Sequence, residues 1–123
     1  GGDGEESGGT LISSCEVVTL AQMSFEDLRT SVRDDPSPPA TLSEALKALW
    51  HDARGDWNKA HTWAQEDEGR DGSWVHAYLH RKEGDRANAG YWYAKASRPM
   101  PAAAVSLETE WADIARALLE RNG

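Results

Sequence analysis

Cysteine is almost absent from this chain: Cys15 stands alone in 123 residues, so no disulfide can form within it and the core has to be held by apolar packing. Basic residues are also in short supply, with 13 Lys and Arg against 21 Asp and Glu and a formal charge of −8. That balance argues against nucleic-acid binding by phosphate neutralisation, which needs clustered cations. No run approaches the ~20 apolar residues of a membrane span, and the first residues lack the basic start and apolar stretch of a secretory signal. The expectation is a protein with neither nucleic-acid nor membrane partners, located in the cytoplasm. No nucleophile beside a base, phosphate loop or complete metal signature is present, so the sequence points away from an enzyme.

What the chain does have is a repeat. Arg54-Gly55-Asp56-Trp57-Asn58-Lys59-Ala60 and Glu83-Gly84-Asp85-Arg86-Ala87-Asn88-Ala89 align at a period of 29, each between two stretches of helical apolar spacing. Glycine supplies the positive φ that ends one helix, and the following aspartate accepts the free N–H groups opening the next. The expected fold class is therefore all-α, a short array or bundle of five to six helices built from two helix-turn-helix units.

The expected elements follow from caps and breakers. Ser24 caps a first helix over about 25–32, with Phe25, Leu28 and Val32 on one face, and Asp34-Asp35-Pro36 ends it. Thr41-Leu42-Ser43-Glu44 reads as a capping box opening a second helix to about Ala53. A third runs to about Asp67 with Trp57, Ala60, Trp63 and Ala64 inward, and the stretch 66–72 reads as a link. Ser73 opens a fourth, broad in its apolar face. A fifth runs from Asp85 to about Ser97 with apolar residues on two faces, as though sandwiched, and Ser106 caps a last helix that closes the open end of the array. Five of the six tryptophans fall on inward faces, which assigns them to the core; Trp74 begins a helix and is the one expected to be partly exposed.

Residues 1–22 differ from the rest, rich in Gly and Ser, and their four acids account for half of the formal charge. They read as a flexible N-terminal extension, a cloning remnant or a fragment edge that adds nothing to the core, although Thr10–Leu20 has the composition of a strand; residues 23–123 read as one helical-repeat-like domain.

The doubled Gly-Asp-x-x-x-Ala with following aromatics and a later proline resembles the tetratricopeptide-like helical repeats, over roughly residues 42–101. Gly84, Asp85, Ala89, Tyr93, Ala96 and Pro101 fit that spacing in the second unit, and Gly55, Asp56, Ala60 and Ala64 in the first. The resemblance implies a small adaptor module binding a protein or peptide partner in a groove lined by the first helix of each unit. Those first helices depart from the pattern, since Lys47, His51, His76 and His80 occupy positions the family fills with bulky core residues, and a compact antiparallel bundle fits as well. The stretch Trp74–Asp85 is also similar to a small bacterial protein family, which implies a bacterial cell and no activity.

Two groups of residues are candidate sites. His76 and His80 are four apart on one helix with Glu83 a turn further on, a set able to hold zinc or another transition metal, and His51 is the candidate fourth group. The opposing expectation is that these histidines are solvated or hydrogen-bonded in a helix interface, with no cofactor, because neighbouring helices stand ~8–10 Å apart and His51 falls on a polar face. Arg81, Lys82 and Arg86, with Trp74 nearby, form a locally basic region suited to an acidic peptide or a terminal carboxylate. Arg81 lies among apolar residues, so either its stem covers the core or its head pairs with a buried acceptor.

Overall fold

A computed structural model describes residues 23–122 of the chain, and the side chains of residues 23–120. The expectations for residues 1–22, including a strand over Thr10–Leu20, lie outside the described residues. Six helices follow in order: α1 (Phe25–Asp34), α2 (Glu44–Ala53), α3 (Trp57–Glu66), α4 (Arg70–Glu83), α5 (Arg86–Ala96) and α6 (Leu107–Asn122). No strand occurs among the described residues, and the all-α expectation holds.

The repeated turns have matching geometry. Gly55 and Gly84 take φ of +87° and +92°. The next residue's N–H, of Asp56 or Asp85, returns to the carbonyl of His51 or His80 at 2.9 Å in both units. Asp56 Oδ1 then accepts from Lys59 N at 3.0 Å, and Asp85 Oδ1 from Asn88 N at 3.2 Å. Each turn thus satisfies the orphan groups of two helix ends at once. Ser24 and Asp27 form a reciprocal capping box on α1, while Ser43 rather than Thr41 caps α2, leaving Leu42 just outside the helix and buried.

The stretch 66–72 departs from its reading as a link, because α4 already begins at Arg70. Asp67 Oδ1 accepts from Gly69 N at 2.9 Å, and Gly72 lies against the Asp67 backbone, where a Cβ would come within 1.9 Å of its carbonyl oxygen. Gly72 is there for close approach inside a helix, which a helix-breaking reading of glycine misses.

Helix α4 is the hub. It packs on α5, α3, α6 and α2, while α1 touches only α2 and α6. The main core gathers Leu28 from α1, Leu46, Leu49 and Trp50 from α2, Val75 and Leu79 from α4, and Ile114 and Leu118 from α6. Tryptophan N–H groups join the helices across it: Trp50 Nε1 donates to Ser31 Oγ, Trp57 Nε1 to Leu79 O and Trp111 Nε1 to Leu49 O, each at 3.0 Å. Two buried carboxylates are also paired. Asp52 Oδ2 accepts from the Tyr78 hydroxyl at 2.9 Å and Asp52 Oδ1 from Lys82 Nζ at 2.8 Å. Glu110 accepts from Arg81 at 2.8 Å and from the Tyr93 hydroxyl.

Two expectations are corrected. Helix α5 packs its backbone against α4 and reaches α6 only through the Tyr93–Glu110 bond, with Ala87, Tyr91 and Ala94 exposed, so it is not sandwiched between neighbours. Helix α6 does not continue past α5 as a cap on that end; it folds back over α1, α2 and α4. The Arg81–Glu110 pair and the Trp111–Leu49 bond hold it there.

Candidate metal centre

Imidazoles from two helices meet between α3, α4 and α5. His61 on α3 joins His76 and His80 on α4, and one ligand nitrogen from each lies within 4.8 Å of the other two. The i, i+4 spacing stacks the His76 and His80 rings 4.8 Å apart at 27°, and the His61 ring meets both edge-on, at 4.5 and 5.3 Å. His76 and His80 are buried, and His61 is partly exposed.

Tryptophans position two of the rings. Trp57 stacks on His61, one helical turn away, with centroids 4.8 Å apart and planes at 12°. Its indole is itself anchored on the Leu79 carbonyl. Trp92 on α5 lies over His76 at 3.9 Å and 19°. The third ring is set by a carboxylate: Glu83 Oε2 stands 2.6 Å from His80 Nδ1. With Nδ1 so engaged, Nε2 is the His80 nitrogen left to face a ligand, and an outer carboxylate of this kind fixes the tautomer and orientation of a ligating imidazole.

The electrostatics favour neutral rings at His61 and His76. Burial, reinforced by the charges that His61, His80 and Lys95 would bring, pushes His76 down to about 4. Burial and His80 also lower His61, with Glu83 opposing. Neutral imidazole is the form that binds a transition metal. Around a tetrahedral ion with bonds of ~2.0–2.1 Å the nitrogens stand ~3.3 Å apart, so the rings have to close by up to ~1.5 Å.

The sequence-selected residues fall as follows. His76 and His80 converge; Glu83 sits behind His80, and together with His80 and Asp85 it forms a second, more exposed group whose ligand atoms lie within 4.8 Å. His51 is not among the clustered residues and presents its ring to Trp50 edge-on at 5.1 Å. His61, which takes the place expected of His51, carries a signal in the sequence: it follows Trp57 by four residues and borders the Trp57–Ala60–Ala64 stripe. The basic set is dispersed over separate intramolecular partners. Trp74 lies under the Arg98 guanidinium at 3.9 Å, Arg86 reaches Met100 Sδ at 3.4 Å, Lys82 holds Asp52, and Arg81 is buried with Glu110. Arg81 therefore takes the second of its two expected forms, a head paired with a buried acceptor.

Among known proteins, no family model, no curated protein and no solved structure matches this chain. The helix-turn-helix likeness rests on the two Gly-Asp turns. No helix among the described residues is long and apolar enough to cross a membrane.

Proposed function

We propose that this protein is a small helical metal-binding domain that takes zinc, or a competing borderline ion such as copper or nickel, on His61, His76 and His80. One observation carries the reading: three imidazoles from two helices present ligand nitrogens within 4.8 Å of one another. A single helix supplies the ligand pair, and His61 supplies the arm from a neighbouring helix for which the sequence offered His51 as a fourth group beside Glu83. Three neutral ligands retain the full charge of a divalent ion, with Glu83 as the nearby counter-charge through His80. This arrangement also leaves coordination positions for water or an exchangeable ligand.

Calorimetric titration of the full chain with zinc chloride at pH 7.5 tests the proposal. The expected result is one ion per chain with a submicromolar Kd. His61→Ala and His80→Ala should each weaken binding by more than tenfold, about 1.4 kcal/mol. An affinity unchanged in His61→Ala would remove the three-histidine site, and the absence of saturable binding would remove the function.

A further inference from the structure

A cleft of about 1020 Å³ opens between α1, the C-terminal ends of α2 and α4, and the first turn of α6. Its size is at the upper limit of cavities that hold small ligands, ~300–1,000 Å³. Phe25 and Val32 from α1 and Leu107 and Trp111 from α6 give it apolar walls. All four are only partly buried although they pack against the main core, so each keeps apolar surface outside it. The floor is polar and already satisfied, since the buried Asp52 carboxylate is held by Tyr78 and Lys82.

Charge on the rim is the distinguishing feature. Arg29 and Arg33, one helical turn apart, line the α1 side. Arg116 of α6 stands behind the lining, 4.2 Å over the ring of the lining residue Phe25, with Arg29 at 5.9 Å from the same ring. Neither Arg29 nor Arg116 has a carboxylate partner among the described residues, and Arg33 shares only a loose, exposed contact of 3.4 Å with Asp34. Two guanidinium groups over one aromatic ring, with a third lining the same cleft, are unexpected in a chain of net charge −8. The first turn of α6, at Ser106–Glu108, opens on the same space and adds the positive end of a long helix. Glu108 is the opposing acid on the lining, and Lys82 is neutralised by Asp52, which leaves the arginines as the cationic pole.

An apolar trough with a guanidinium rim matches a ligand that has an apolar body and one terminal anion. We propose that this cleft binds a small apolar carboxylate, its chain against Val32, Leu107 and Trp111 and its carboxylate on Arg29 and Arg116. Guanidinium suits the head because its planar fork matches a carboxylate with two parallel hydrogen bonds. The site is independent of the histidine cluster, which faces away round α4.

Octanoate and octan-1-ol, which share a chain length and differ in charge, serve as probes of the full-length protein. The indole N–H resonance of Trp111, identified with Trp111→Phe, reports the cleft, and that of Trp92 reports the far side of α4. Octanoate should shift Trp111 saturably, leave Trp92 in place, and bind at least tenfold more tightly than octan-1-ol. The exposed pair Arg29→Gln/Arg116→Gln should remove most of that preference while leaving the alcohol's affinity unchanged, and added salt should weaken octanoate alone. Equal binding of acid and alcohol, an unaltered octanoate affinity in the double variant, or no saturable shift at Trp111 would each overturn the proposal.

Discussion

Trp92 covers His76 face to face, with ring centroids 3.9 Å apart, and so helps remove from water a histidine whose charged neighbours are all potential cations. The consequence is a linkage between folding and pH. Unfolded, His76 takes up a proton near its ordinary 6.5; folded, it does so only near 4. Between those values the unfolded state binds more protons, so stability is fully present above about pH 6.5 and falls as the pH drops towards 4. At ~1.4 kcal/mol per unit the loss is roughly 3 kcal/mol. His61, lowered for the same reason, adds to it with the same sign. Urea midpoints measured from pH 7.5 to 4.5 should therefore fall steeply in the native chain and less steeply in His76→Gln. Parallel slopes would place the acid sensitivity elsewhere.

Glycines at two kinds of position should respond differently to substitution. Gly84 has φ of +92° and open space within 4 Å of where a Cβ would stand, so Gly84→Val suffers backbone strain alone, ~1–3 kcal/mol. Gly84→Asn should recover much of that, because asparagine tolerates the left-handed region. Gly72→Ala meets the backbone of Asp67 instead, and no choice of small residue relieves it. Denaturant midpoints for the three variants check this, and a neutral Gly72→Ala would mean that α4 starts later than Arg70.

Arg81→Met should destabilise the protein by ~3–5 kcal/mol, the usual cost of leaving a buried charge without its partner. The pair it breaks is enclosed, with side-chain exposures of 7% for Arg81 and 5% for Glu110. Adding Glu110→Gln in the same chain removes the orphaned charge and should restore a large part of the loss. A loss below ~1 kcal/mol for Arg81→Met alone would show that water reaches Glu110.

Zinc should act on the same pH scale as His76. If the ion binds only the folded state, saturating zinc raises the denaturation midpoint at pH 7.5. The gain should vanish in His61→Ala, and it should shrink as protons compete for the three imidazoles at lower pH. A zinc effect that survives in His61→Ala would point to the exposed His80–Glu83–Asp85 group instead.

Local rules were written plainly enough in the sequence to give the helices and their turns. Gly55-Asp56 and Gly84-Asp85 each combine the positive-φ residue with the cap that follows it, and both features depend only on residues close in the chain. The same holds for Ser24 with Asp27, and for the apolar stripe of α2. His76 and His80 share a face of α4 for the same reason, since i, i+4 spacing fixes it whatever packs outside. What local spacing could not determine was which helix face meets which. His61 reaches the pair, and His51 does not, because α3 packs on α4 with its Trp57 edge inward. Arg81 is buried and inaccessible to a partner because α6 folds back and delivers Glu110 to it from 29 residues away. Gly72 is indispensable only once the Asp67 backbone lies against it. Helix formation is a contest among neighbours in sequence, so the chain alone determined it. The metal centre and the cleft arise where helices distant in sequence bury area against one another, and only the tertiary structure decided them.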